Sequence, residues 1–344
     1  MNSIKKPLSC LLLGISILLN AGENCCLDDI QFEATLFYFK PSLEQNSYVI
    51  TSTDNRFNGE VYPNGKRHFI HTEYKPGFRL ETLNELCNPA TLLNLRFTCY
   101  NSHPSSFTRG PFLFDTVGFP GHGAGAPEDT TYNGFARMRH QYQYYAADST
   151  INRYLVDCFP DTFTFLFGIH YSYVKVKHKF RGVGTFLTTE DGQPVARPVN
   201  NRLHEKSIFW GIGPEIGVDY SYLFQICNRE GYFALNINAR AALLGTCNDV
   251  DFHYRTERTG PRGVNLKNDK LWRITPMCDA QIGLSYTCSF YDAQAAIEFG
   301  YEFVWYSKAV DKITGYDVAL AGNSLDVLDD FTLQGPFLRM VIQF

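Results

Sequence analysis

Eight acids and eight bases stand at alternate positions of otherwise apolar stretches. The acids are Glu33, Glu73, Glu81, Glu215, Asp219, Asp279, Glu298 and Glu302; the bases are Lys75, Arg79, Arg96, Arg137, Arg139, Arg240, Arg273 and Arg339. Sets matched in number and opposite in sign support two outcomes. They can pair and fill a narrow interior, or they can line a water path of weak ion preference. All but Glu33 and Glu81 are taken as candidate lumen-lining residues, because a charge facing lipid at the bilayer midplane costs about 2–4 kcal/mol.

Cysteine supplies the second set. Cys25, Cys26, Cys87, Cys158, Cys227 and Cys288 fall in the N-terminal segment or in short turn-like stretches, and they are the disulfide candidates. Turns two strands apart lie about 10 Å from each other, beyond the roughly 7 Å Cα limit for a disulfide. Some bonding is therefore expected to run to neighbouring envelope proteins, or through the Cys25-Cys26 segment. Free half-buried thiols are the alternative. Cys278 sits on an apolar face and reads as packing.

Other chemistries lack their residues. No Cys-x-x-Cys pair suggests zinc, and no Gly-x-Ser-x-Gly elbow stands with a matched His and acid. The histidines are scattered; His122, near Glu128 and Asp129, lies in a Gly-rich stretch and reads as solvated. Gly211, Gly213 and Gly217 have the wrong spacing for a dinucleotide loop and precede a strand, not a helix. No dense Lys/Arg run exists and the net charge is −4, which gives nucleic acid no footing. Neither an enzyme, nor a metal, nor any cofactor is expected.

The elements that position these residues are strands of period two. Phe163, Phe165, Phe167, Ile169, Tyr171 and Tyr173 alternate with Thr162, Thr164, Gly168, His170 and Ser172. Phe233 to Leu243 alternates with Asn236, Asn238 and Arg240; Ala293 to Trp305 alternates with Gln294, Glu298 and Glu302; Leu93 to Cys99 alternates with Asn94, Arg96 and Thr98. Each segment has a greasy side and a wet side. Ordinary strands run about 5–6 residues, whereas crossing a bilayer at a tilt takes about 9–11.

The pattern predicts strands near 30–40, 68–81, 91–101, 135–155, 162–179, 207–225, 232–247, 270–286, 293–306 and 331–344. Ten strands follow, or twelve if a hairpin hides in 41–67. Short connections (82–90, 156–161, 226–231, 287–292) alternate with long ones (41–67, 102–134, 181–206, 248–269, 307–330). That alternation, an even count and aromatic residues at 15% of the chain fit an all-β, antiparallel transmembrane β-barrel with long external loops and short periplasmic turns.

Lys5 and Lys6, the apolar run Leu8 to Leu19, and Ala21-Gly22 read as a cleaved secretory signal over residues 1–22. Residues 23–344 are then a single barrel domain in the bacterial outer membrane. Ten cysteines less Cys10 inside the leader leave nine, an odd number for pairing.

Four stretches carry a family resemblance: Pro76-Gly77-Phe78-Arg79; Gly211 to Asp219 with Ala239 to Gly245; Trp272 to Tyr286 with Gly300 to Tyr306; and Thr332 to Arg339. Together they resemble the Legionella major outer membrane protein family, which also has members in chlamydia-like bacteria. The resemblance spans nearly the whole mature chain. It implies a pore-forming surface protein, sometimes disulfide-linked. The closing strand to Phe344 also resembles the signal read by barrel assembly machinery, with Arg339 where such a signal often carries Gly.

The expected function is a porin-like barrel for passive diffusion of small solutes. The alternative is a non-conducting structural or adhesive surface barrel with disulfide cross-links. Expected partners are outer-membrane lipid, the barrel assembly machinery and other envelope proteins.

Overall fold

The computed structural model describes residues 30–43, 47–52, 65–86, 88–115, 132–190, 193–224, 231–256, 262–290, 293–314 and 325–343. The leader at 1–22 and the cysteines Cys25, Cys26, Cys87 and Cys227 lie outside them. The described residues form strands and no helix.

The strands are β1 (Ile30–Leu43), β2 (Ser47–Ser52), β3 (Gly65–Phe69), β4 (Lys75–Leu86), β5 (Asn88–Ser102), β6 (Ser105–Asp115), β7 (Tyr132–Cys158), β8 (Asp161–Glu190), β9 (Gln193–Phe224), β10 (Gly231–Thr256), β11 (Arg262–Phe290), β12 (Ala293–Thr314) and β13 (Leu325–Gln343). Every pairing is antiparallel, and β1 joins β13 while β7 joins β8, so the sheet closes on itself. The closed ring runs β1-β4-β5-β7-β8-β9-β10-β11-β12-β13, ten strands.

The hairpin foreseen within 41–67 exists as β2–β3, but it adds no stave to the ring. It docks on β6. That strand is itself the continuation of β5: the register on β7 passes unbroken from Ser102↔Tyr142 to Ser105↔Arg139. Both termini of the barrel, the start of β1 and the end of β13, share one end with the short turns.

Strand length is where the sequence reading falls short. Stretches 181–206, 248–269 and 307–330, expected as loops, are largely strand, and β8 and β9 reach 30 and 32 residues. At about 3.3 Å per residue these staves are on the order of 100 Å long, far more than a bilayer needs.

The reason is an inversion of pattern along single strands. Near the turn end, Phe165, Phe167 and Ile169 of β8 are exposed while Thr164, His170 and Ser172 are buried. Further along the same strand, Val174, Val176 and Phe180 are buried while Lys179 and Arg181 are exposed. Lower β9 shows Ile212 and Ile216 outside with Glu215 inside; upper β9 shows Arg202 outside with Leu203 inside.

A surface that is greasy outside and polar inside suits lipid, and the opposite arrangement suits water. The switch falls at an aromatic row, Tyr145↔Tyr173↔Trp210, joined by Trp272 5.6 Å from Trp210. A second row, Tyr222, Phe224, Phe233 and Tyr286, lies toward the turns, with Phe224 and Phe233 stacked at 6.0 Å. Along β9 the two rows are Trp210 and Tyr222. That separation is about 40 Å of strand, or roughly 30 Å along the membrane normal at a tilt near 40°, the thickness of a bilayer core.

Above the upper row the cylinder carries its own apolar core of Tyr48, Val49, Ile70, Leu113, Met138, Phe180, Val199, Leu203, Val250 and Phe252.

Candidate functional site: the barrel interior

Inward positions within the membrane band hold most of the charged side chains that the period-two pattern singled out. Arg79 donates to Glu302 across the lumen, Nη2 to Oε1 at 2.5 Å and Nη1 to Oε2 at 3.1 Å, and its Nε reaches Thr98 at 3.0 Å. Arg96 donates to Asp148 (2.5 Å) and to Asp279 (3.1 Å), and stands 3.7 Å from Glu215. Arg240 faces Glu81 at 3.7 Å, and Arg339 lies 3.3 Å from Glu298 and 3.6 Å from Glu33. Asp219 accepts from Asn238.

Arg273 faces inward near the upper aromatic row and pairs with Asp311 at 2.6 Å. Arg79, Arg96, Glu215, Asp279 and Glu302 are at 4% exposure or less, and among the described residues Glu215 is the one of the five held by charge alone, without a hydrogen bond. A charge in such surroundings is costly unless paired and hydrogen-bonded.

Four expected lumen residues are not in the lumen. Glu73 and Lys75 sit at the upper start of β4, are 61% and 41% exposed, and pair with each other at 2.9 Å. The ring beside β6 is continued there by β2, which leaves this corner open to solvent. Arg137 and Arg139 are exposed on the outer face of β7, between inward Ala136, Met138 and His140. Beyond the aromatic row the wet face is the outer one, so the same alternation carries the opposite meaning.

Asp148 escaped the sequence reading, and His170 was placed on a polar face without a role. Asp148 and His170 are register partners on β7 and β8, both fully inward and bonded to each other. The signal of Asp148 was present in the alternation of Ala146, Asp148, Thr150 and Asn152 with their neighbours, but one acid among small polar residues does not stand out. With Asp148 included, the inward acids at this level outnumber the arginines Arg79, Arg96, Arg240 and Arg339 by eight to four.

Ligand-type atoms of Asp148, His170 and Glu215 lie within 4.8 Å of one another. Asp148 is engaged by both Arg96 and His170, and the second nitrogen of His170 meets the Tyr306 hydroxyl at 2.9 Å. The cluster reads as part of the ion-pair network.

Directly above this polar layer the lumen is apolar. Phe37, Phe39, Tyr100, Tyr142, Tyr144, Phe209, Tyr306 and Phe331 reach inward at 3% exposure or less. Phe37 stacks on Phe39 at 4.1 Å, Tyr144 and Tyr306 share a hydroxyl contact of 3.0 Å, and Phe331 touches Tyr142, Tyr144 and Tyr306 with centroids 6.2–6.4 Å apart. Glycine makes room for these side chains: a Cβ on inward Gly77 would collide with the Phe37 ring.

Of the cysteines, Cys288, expected in the 287–292 turn, is a free thiol within β11, two residues before that strand ends at Phe290, and contacts the Ala295 carbonyl at 3.6 Å. Cys158 ends β7. Cys99 and Cys278 are half-buried free thiols on the lipid-facing side, and Cys247 is buried.

Comparison with known proteins gives distant structural likenesses. The outer membrane protease OmpT from Escherichia coli shares 11% identity at a TM-score of 0.44, over 93% of this chain and 98% of its own. A Pseudomonas aeruginosa FadL homologue shares 7% at 0.30, over 92% and 90%. The Ralstonia pickettii toluene transporter TbuX shares 8% at 0.26, over 91% and 88%. No curated protein matches the chain by sequence. The family described as Legionella pneumophila major outer membrane protein precursor matches residues 25–344, and the chain belongs to that family of outer-membrane barrels.

Proposed function

We propose that this protein is a non-catalytic outer-membrane barrel closed at rest, whose extended external cylinder serves as a surface structure. The observation that carries this reading is the double seal in the lumen. A paired charge layer around Arg96 and Arg79 lies beneath an aromatic layer centred on Tyr144, Tyr306 and Phe331, and their side chains are almost wholly removed from solvent. Ten strands enclose little more than side chains can fill: eight are just filled and sixteen leave a channel. The long cylinder above the lipid, with a separate apolar core, supports a role at the cell surface.

Passive diffusion through a resting pore is the other reading. It needs both layers to part, and the surplus of inward acids would then favour cations. Export by a cleaved leader and cross-linking through Cys25, Cys26, Cys87, Cys158, Cys227 and Cys288 belong to the proposal. For the last, the free thiol of Cys288 at the turn end is the support.

The test is conductance of the purified chain in a planar bilayer. The expected trace is silent for the wild type and shows steps once Tyr144→Ala and Phe331→Ala are combined. Steady open steps from the wild type would overturn closure. On non-reducing gels, the expected result is a ladder that collapses with reductant.

A further inference from the structure

Three adjacent strands carry a one-sign surface immediately above the upper aromatic row. The outward row Tyr145↔Tyr173↔Trp210 is followed by Gln143↔Lys175↔Ile208, then Gln141↔Lys177↔Lys206, then Arg139↔Lys179↔His204, then Arg137↔Arg181↔Arg202. Eight arginines and lysines thus lie side by side on β7, β8 and β9, and no carboxylate shares those rows. Each row adds about 5 Å of height at a tilt near 40°, so the first rows sit at headgroup depth.

No salt bridge holds any of the eight among the described residues; Arg202 meets only the Asn200 side chain, at 3.3 Å. Two outward acids of β10 border it: Asp249 opposes Ile208, and Asp251 opposes Lys206 and already pairs with His253 at 2.8 Å. Like charges directly opposite each other across a sheet are destabilising. Burial, Lys177 and Lys206 together hold the Lys175 amine below its ordinary range, and burial with Lys179 does the same to His204. Such a surface is costly in isolation and is relieved by bound anions.

We propose that the outward face of β7–β8–β9 above Tyr145, Tyr173 and Trp210 binds the phosphorylated headgroup of a lipid in the outer leaflet. The acyl chains would lie along Phe167, Ile169, Ile212 and Ile216, which are exposed directly below. The phosphates would bridge Lys175, Lys177, Lys179 and Lys206. Lysine acts there as a point charge, and Arg139 and Arg181 add planar two-pronged contacts. The shared chemistry is a terminal phosphate group. A lipid differs from free phosphate in also using the apolar bed beneath.

The experiment takes the full chain folded in an uncharged detergent and titrates it with bisphosphorylated lipid A, with the same lipid stripped of phosphate, and with inorganic phosphate. Bound lipid is read by native mass spectrometry. Preferential binding of the phosphorylated lipid is expected, weakening as salt rises.

The variant carrying Lys175→Gln, Lys177→Gln, Lys179→Gln and Arg181→Gln should bind on the order of several hundredfold more weakly, since each cation near an anionic surface is worth about fivefold. Arg153→Gln, exposed near the turn end, should leave binding unchanged. Heat-modifiable gel migration checks that the variants fold, and the three wild-type titrations decide the matter if the quadruple variant does not. Equal affinity for the stripped lipid, an unaffected quadruple variant, or full displacement by inorganic phosphate at matched phosphate concentration would each overturn the proposal.

Discussion

Arg96 is the residue on which the interior hinges, because one guanidinium serves Asp148, Asp279 and Glu215 on three other strands. A buried ion pair adds little net stability, but removing one partner strands the others, at a cost of about 3–5 kcal/mol. Arg96→Met should therefore lower the urea midpoint of the detergent-folded barrel by a shift equivalent to that range, while Arg137→Met, exposed on the outer face, should leave it within about 0.5 kcal/mol. Equal midpoints for the two variants would remove the network from the stability of the barrel. Alternation alone placed Arg79, Arg96, Glu215, Arg240, Asp279 and Glu302 on wet positions. It could not name their partners: Arg79 and Glu302 lie 223 residues apart, and which inward residues meet depends on the stagger of the closed ring. Nor could it assign Arg137 and Arg139, because the meaning of a face depends on height.

The strand is the scale at which that height is written. On β9, Ile216 and Ile208 both point outward, but Ile216 lies between the two aromatic rows and Ile208 lies just past Trp210 on the water side. An arginine costs about 2–4 kcal/mol at the midplane and about 0–1 near the interface. Ile216→Arg should thus destabilise the barrel in lipid by the larger amount and Ile208→Arg by the smaller, read from unfolding in bilayers of phosphatidylcholine. A reversal of that order would move the membrane away from the aromatic rows. The membrane halves of the strands were legible because apolar residues repeat there without interruption, as in Phe163 to Tyr173. The upper halves were not. Phe180, Val199 and Leu203 are buried there, but Arg181, Gly182, Pro194, Pro198 and Arg202 around them have the composition of a loop. The apolar set also changes face, so a reader following one face sees the strand stop. Pro76, Pro214 and Pro336 stand within long strands in the same way and are equally misleading to propensity.

At the scale of the whole molecule, the inversion of pattern gives the barrel a direction. On the proposed export route the end with short turns and both strand termini faces the periplasm, since an even ring returns both ends to the side from which it was assembled. Thr185, exposed high on β8, then lies outside the cell, and Cys288, near the last turn of β11–β12, lies inside the outer membrane. A maleimide attached to a polymer too large for any outer-membrane pore should label the Thr185→Cys variant on intact cells and should leave the unaltered chain unlabelled. After the outer membrane is opened and reductant added, Cys288 should label as well. Cys99 and Cys278 should react only when the chain is unfolded, because each thiol is partly packed and otherwise faces hydrocarbon. Labelling of the unaltered chain on intact cells, mapped to Cys288, would turn the barrel upside down. It would also place the cationic rows of β8 in the periplasm, where no outer-leaflet headgroup could meet them. The direction of the barrel is thus the premise that the lipid-binding face and the surface role hold in common, and a thiol count on whole cells tests it without reference to either.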